Sequence, residues 1–258
     1  MTPSAGSLAI RALPGIGDIV PGTDLGRVIA DAMSGSGFAR AGNPVVVVAQ
    51  KIVSKAENRY VFLDAVVPTS EAIEIAKATG KEPELVEAVL QESMGVVRTA
   101  ANTLIVRHRL GYVVANAGID QSNVQSPDGR RACLLLPIDP DASAVRIRNA
   151  LAQHFDPAPA VIISDSFGRP WRRGVVNVAL GSAGLPALID RRGEKDRYGR
   201  RLNVTEVAFA DALAAAAGLV MGEGAESTPV VVVTGAIWNA REVSALSLVR
   251  PQSEDLFK

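Results

Sequence analysis

Val45-Val-Val-Val-Ala49, followed at once by Gln50-Lys-Ile-Val-Ser-Lys-Ala-Glu57, is the stretch from which the fold can be read. Four β-branched residues and an alanine are too short a run for a helix and too apolar for an edge strand. The first half therefore reads as a strand buried on both faces. The second half turns abruptly polar and reads as a loop, and the carboxyl ends of buried strands are where α/β proteins build their sites. Runs of similar character occur at Thr103 to Val106, Tyr112 to Ala115, Val161 to Ser164 and Val230 to Thr234, which predicts a central sheet or sheets. Between them, Asp24 to Met33, Glu82 to Ser93, Ala142 to Gln153 and Thr205 to Met221 have helical character. The last ends at Gly222, placed to form a left-handed cap. Helices and strands interleave, so the fold class is mixed α/β. No fixed period repeats and no low-complexity linker divides residues 1–258, which read as a single unit whose internal boundary cannot be assigned.

Hydrophobic residues make up 48% of the chain and charged residues 21%, the balance of an ordinary packed enzyme. Lys plus Arg and Asp plus Glu both total 27. There is no overall field to draw nucleic acid or an anionic membrane, so any recognition of anions has to be local. Cys133 is the only cysteine, which excludes an internal disulfide and a cysteine-rich zinc site and suits a reducing cytosol. The first ten residues lack the basic and apolar regions of a secretory signal, and Ala212 to Met221 is too short to span a membrane. A cytoplasmic enzyme with no membrane or nucleic-acid partner is expected.

The other polar segments that follow strands, also read as loops, are Asn116 to Asn123 and Ser164 to Gly174. Asp120, Asp165 and Ser166, with the Gly222-Glu223-Gly224 turn, offer oxygen ligands without a histidine cluster or a thiolate. That set suits magnesium or manganese on phosphates rather than zinc. Either aspartate alone reads as a cap on a turn; the two together, each followed by polar partners, point to a metal. Lys55 lies six residues past the strand and is either a point charge for a phosphate or simply solvated. Gly222 to Thr228 resembles a backbone nest, by itself a weak phosphate signal. Neither GxxxxGK[ST] nor the dinucleotide glycine fingerprint is present, so the fold is expected to be neither P-loop nor Rossmann. His108 and His154 have no carboxylate or nucleophile at recognisable spacing, no Gly-x-Ser-x-Gly elbow occurs, and Cys133 sits in an apolar stretch, so acyl-enzyme chemistry has no support. Asp190 to Arg201 carries an excess of arginine and lysine over acid, and reads as a solvated loop or a place to capture an anionic substrate.

In chain order, Leu13-Pro-Gly-Ile16, Val53-Ser-Lys55, Ala117-Gly-Ile-Asp-Gln-Ser-Asn123, Leu136-Pro-Ile-Asp-Pro-Asp-Ala-Ser143 and Asp165-Ser-Phe-Gly-Arg-Pro-Trp-Arg-Arg-Gly174 resemble the coenzyme F420-0:L-glutamate ligase family. Val204-Thr-Glu206, Ala210-Asp211 and Leu219-Val-Met-Gly222 continue the resemblance, which runs from about residue 10 to Lys258. It implies the F420 gamma-glutamyl-ligase-like fold, an intertwined homodimer, and GTP-dependent addition of L-glutamate to the lactyl carboxylate of F420-0 through an acyl phosphate. The small-molecule partners would be F420-0, L-glutamate and GTP, with further glutamates added to the product as an extension. By position, Leu13, Pro14, Gly15, Ile16, Gln50, Lys55, Asn123 and the segment Met221, Gly222, Glu223, Gly224, Ala225, Glu226, Ser227 and Thr228 would contact GTP. Asp120, Asp165, Ser166 and Glu223 would hold Mg2+ or Mn2+, with K+ a further candidate ion. Gln50, Ser166 and Glu223 depart from the commoner serine, threonine and glutamine at their positions. The chain to Lys258 would be the ligase unit alone, without the nitroreductase-like C-terminal domain of some relatives. Two other classes stay open on the residues themselves: a metal-dependent phosphohydrolase, and a nucleotide-binding module without turnover.

Overall fold

The computed structural model describes residues 6–36, 38, 43–124, 126 and 128–255; the first five residues and Lys258, which entered the readings above, lie outside them. The chain opens with β1 (Ala9–Ala12), α1 (Leu25–Ser36), β2 (Val45–Ala49), α2 (Gln50–Ala56) and β3 (Tyr60–Phe62). It continues through α3 (Ser70–Thr79), α4 (Pro83–Gln91), β4 (Ser93–Ala100), β5 (Thr103–His108), β6 (Val113–Ala115) and β7 (Ala132–Leu134). The last third holds α5 (Pro140–Leu151), β8 (Ala160–Arg169), β9 (Arg172–Ala183), β10 (Leu188–Asp190), β11 (Glu206–Ala208), α6 (Phe209–Met221) and β12 (Val230–Thr234).

A five-stranded sheet in the order β1-β12-β2-β8-β9 forms the centre. Its β2 and β8 run parallel, and its other neighbours run antiparallel. Because side chains alternate across a strand, each valine run divides its residues between two faces. Val46, Val48, Val161, Ile163, Val230 and Val232 meet α1 and α5 in one core, while Val45, Val47, Ile162, Val231 and Val233 meet α6 in the other. This is why β2 reads as continuously apolar: a layer of helix covers each side. The mostly antiparallel order also differs from the doubly wound parallel sheet of dinucleotide folds.

A second packing region sets α3 and α4 against the three-stranded sheet β4-β5-β6, with Val86, Val89, Leu104 and Val106 buried between them. At the junction of α4 and β4, Glu92 accepts hydrogen bonds from Arg59 and Arg109, both at 3.0 Å, and lies 3.5 Å from the buried His108. Burial alone would raise its pKa, but the His108 and Arg109 contacts and the charges of Arg109 and Arg59 outweigh it and hold the carboxyl at about 2. A carboxylate held below its ordinary value stabilises the fold above that value, and the contribution fades as pH falls toward 2. Glu92→Gln is expected to lower the unfolding free energy at pH 7 by about 2 kcal/mol, because two guanidinium groups are left without their anion. Denaturant titrations should show the deficit at pH 7 and its decline as pH falls from about 4 toward 2.

Several sequence expectations need correction. The polar segment after β2 is not a loop but α2, with Ile52 and Val53 turned into the core. The segment 112–115 is not a buried strand: β6 starts at Val113 and leaves Val113 and Ala115 exposed at the edge of its sheet. The polar run 164–174 is not a loop either, because β8 and β9 extend through it as a hairpin that leaves the core and ends at the exposed Trp171. Glu206 to Ala208 pairs with β10 as a strand, so the last long helix starts only at Phe209. Gly222 has φ 75° and ψ 176°, a positive-φ region almost confined to glycine, rather than the left-handed helical cap. Asp190 to Arg201 is irregular as expected, apart from one bridge between Lys195 and Arg201.

Candidate active site

The end of β2, the turn 120–124, the middle of β8 and the segment after α6 enclose a cleft of about 910 Å³, in the size range of a small-molecule site. β2 passes into α2 without a connecting loop. The helical period then separates two pairs of residues four apart. Gln50 and Ser54 are buried, and Lys51 and Lys55 line the cleft. Parallel pairing of Ala49 with Ser164 sets Asp165 one residue further along β8. Asp120 is fixed by two backbone hydrogen bonds to Leu134, each 2.9 Å. It follows three consecutive residues of positive φ, Asn116 (51°), Ala117 (54°) and Gly118 (67°). Such backbone is costly for a residue with a side chain and concentrates at functional sites.

Gln50, 2% exposed, donates from Nε2 to Asp120 Oδ2 at 2.6 Å and accepts from Ser54 Oγ at 2.9 Å. Lys51 Nζ lies 3.4 Å from Asp120 Oδ1 and donates to the Ser122 carbonyl at 3.0 Å. Burial raises the Asp120 carboxyl, opposed by Lys51 and Gln50. Asp165 is pushed up to about 7, first by burial and then by the negative charge of Asp120, with Glu223 adding to it. Asp120 raises Asp165, and Glu223 raises both, which marks a site short of positive charge. Five carboxylates line the cleft, those of Asp18, Asp120, Asp165, Glu223 and Glu226, against the two ammonium groups of Lys51 and Lys55.

The far wall is the segment 221–228. Gly222 begins it with a φ and ψ combination that is almost confined to glycine. Gly224 N–H donates to the Glu226 carboxylate at 2.7 Å, so the nest read from the sequence already holds an anion from its own chain. Asn123 Nδ2 donates to the Gly224 carbonyl at 3.2 Å, tying the Asp120 turn to this wall.

The cleft thus brings together Ile16, Gln50, Lys55, Asp120, Asn123, Asp165, Ser166 and Met221 to Thr228 from distant parts of the chain. Leu13, Pro14 and Gly15 do not line it: Leu13 is buried in the core and donates its N–H to the Val230 carbonyl at 2.9 Å. Among the described residues, no three His, Cys, Asp or Glu side chains converge closely enough to hold a metal ion by themselves. Asp120, Asp165 and the Ser166 hydroxyl still fit magnesium or manganese. Mg2+ is commonly held by one or two carboxylates and completed by water and substrate phosphates rather than by a full protein cage. The histidines and cysteine stay outside the cleft, as read, and burial pushes the Cys133 thiol up to about 11, away from thiolate chemistry.

Asp18, Lys51 and Asn177 are among the cleft residues that escaped the sequence reading. Lys51 was available in it, since it stands four residues before Lys55 in the same polar segment. Asn177, 9% exposed, lines the cleft from β9 opposite Ser166. A Cβ at Gly218 of α6 would fall 2.2 Å from Asn177 Oδ1, so a glycine inside this helix makes room for the amide. The signal was a single polar residue within Val175-Val-Asn-Val-Ala-Leu180.

Comparison with known proteins identifies the family of the chain. The family model described as F420-0:Gamma-glutamyl ligase matches residues 15–235. The chain belongs to that family. The ligase is 42% identical over 253 residues to the coenzyme F420:L-glutamate ligase of Methanothermobacter thermautotrophicus, covering 97% of this chain and 98% of that one. It is 40% identical over 256 residues to the protein of that name from Methanopyrus kandleri, covering 98% of each chain. With the namesake from Halorubrum lacusprofundi it shares 45% identity over 233 residues, or 88% of this chain and 86% of the other. No helix of the ligase, among its described residues, is long and apolar enough to cross a membrane.

Proposed function

We propose that the ligase joins L-glutamate to the carboxylate of F420-0 at the expense of GTP, and adds further glutamates to the product by the same chemistry. The observation that carries this reading is the acid-rich cleft in which Asp120, Asp165 and Ser166 meet the 221–228 segment. A cleft with this excess of carboxylates repels a triphosphate and a carboxylate substrate unless divalent cations enter with them.

A carboxylate does not accept an amine at neutral pH because oxide is a poor leaving group. Its oxygen attacks the γ-phosphorus of GTP, GDP departs, and an acyl phosphate forms. The glutamate amine then attacks the acyl carbon, phosphate leaves, and the amine proton passes to solvent. Bound Mg2+ or Mn2+, with K+ as a further candidate, would neutralise the charge that develops on the phosphoryl oxygens. Asp120, Asp165 and Ser166 would hold the divalent ion, with Gln50 orienting Asp120 and Glu223 offering a further oxygen at the cleft wall. Lys55 provides a point charge for the nucleotide phosphates.

Incubation with GTP, a divalent ion, L-glutamate and F420-0 should give products heavier by glutamate residues in mass spectrometry. Phosphate release without glutamate incorporation would make the chain a phosphohydrolase instead.

Arg191 and Arg192 are neutralised by Glu194 and Asp190, so the positive excess of the 190–201 loop lies on Lys195, Arg197, Arg200 and Arg201. Replacing Arg197 and Arg200 by alanine is expected to raise KM for the anionic coenzyme about three- to tenfold, the effect of removing one or two exposed charge contacts. KM for GTP should stay within twofold; an equal rise in both would remove the loop from coenzyme recognition. A cytoplasmic homodimer completes the reading. β4 supports the homodimer as an eight-residue edge strand with Met94, Val96 and Val97 exposed. Light scattering should give twice the chain mass.

A further inference from the structure

Both oxygens of Asp120 are already engaged in the protein. Oδ2 accepts from Gln50 at 2.6 Å, and Oδ1 lies 3.4 Å from the Lys51 ammonium. Each carboxylate oxygen keeps a further lone pair, but a cation on Asp120 crowds these two partners and repels the Lys51 ammonium, so one of them gives way. Gln50 is 2% exposed and anchored on its other side by Ser54, so it is not the group that yields. Lys51 is partly exposed, on a flexible four-carbon stem, and its second tether is a single hydrogen bond to the Ser122 carbonyl. It stands at the second residue of α2, and Lys55, one turn further on, is the other ammonium lining the cleft.

From this geometry we infer that Lys51 is a placeholder cation: its ammonium occupies Asp120 Oδ1 until a divalent ion takes that oxygen, and then turns to the phosphates of the bound nucleotide. The inference rests on the metal reading of Asp120 and Asp165 and adds a residue with two successive partners. While the cleft is empty, Lys51 relieves the repulsion between its carboxylates. Once the metal enters, the displaced positive charge stays in the cleft, where the incoming anion needs it. Exchange of a like charge at one oxygen leaves Asp120 compensated throughout, which fits a turn held as firmly as this one by Leu134 and Gln50.

A placeholder competes with the metal, whereas a residue that merely supports Asp120 helps it, so the two roles differ in sign. Lys51→Met keeps the unbranched apolar stem, one atom shorter, and removes the charge. With the full chain free of nucleotide, binding of Mn2+ alone is followed by electron paramagnetic resonance and calorimetry. Lys51→Met should bind Mn2+ about five- to tenfold more tightly, the size expected for loss of a competing, partly screened ion pair. Lys51→Arg should bind it as the unsubstituted chain does. With Mn2+ saturating, Lys51→Met should bind GTP about five- to tenfold more weakly. Thermal melting checks that each variant is folded. Unchanged or weaker Mn2+ binding by Lys51→Met overturns the inference and leaves the metal reading standing. Absence from the unsubstituted chain of Mn2+ binding that Asp165→Asn removes overturns both.

Discussion

Asp165→Asn is expected to lower ligase turnover by about 10³-fold or more, the order of loss for removing a group that fixes the charge-neutralising centre of phosphoryl transfer. The substitution keeps the shape of the side chain and its place on β8, so the effect falls on chemistry and not on folding. Its consequence for stability has the opposite sign to that of an ordinary site mutation. In the metal-free chain the Asp165 carboxyl is raised to about 7 from an ordinary value of 3.8. The folded state therefore holds a proton that the unfolded state releases, and stability falls as pH rises from about 4 to about 7. Asparagine has no proton to lose. Above pH 7 the metal-free variant should be more stable than the original by on the order of 2 kcal/mol, and its melting temperature should vary less between pH 4 and 7. Parallel measurement of turnover and of melting against pH separates this outcome from damage to the fold. A variant that is both inactive and less stable at pH 8 would show that Asp165 serves the structure.

Gly222→Ala is expected to cost the ligase about 10- to 100-fold in GTP affinity while moving the melting temperature little. The backbone of Gly222, at φ 75° and ψ 176°, lies in a region that side chains exclude, and forcing it costs about 1–3 kcal/mol. An added Cβ would also fall 2.2 Å from the Glu226 carboxyl carbon, although that side chain is exposed and can move. Relief of the strain turns the segment 223–228 away from the cleft. Titration with GTP and a divalent ion checks this. Affinity within a factor of two of the original would mean that the segment does not cradle the nucleotide.

How much of this was legible in the sequence depends on whether local pattern or distant contact decided the outcome. β2, β8 and β12 were readable because burial on both faces leaves an unbroken apolar signature. α2 was not, because only Ile52 and Val53 carry its core face and the flanking Gln50, Lys51, Ser54 and Lys55 imitate a loop. The extension of β8 and β9 beyond the core was hidden for the same reason: partner strands, not side-chain burial, hold Asp165 to Gly174 extended. The candidate site was legible as residue types, Asp120, Asp165 and Ser166 after strands, and as a family likeness. What the chemistry of single residues could not supply was pairing across 70 positions, such as Gln50 with Asp120, or the space that Gly218 leaves for Asn177. Leu13 shows the converse, since a residue matched by likeness proves to be core packing.

The central claim is that Asp120, Asp165 and Ser166 hold a divalent cation against a bound triphosphate. The most direct test is a crystal grown with Mn2+ and a non-hydrolysable GTP analogue, with data collected at the manganese absorption edge. An anomalous peak is expected within about 2.5 Å of oxygens from Asp120, Asp165 and a nucleotide phosphate. A nucleotide bound elsewhere, or manganese absent from between the two aspartates, would contradict it.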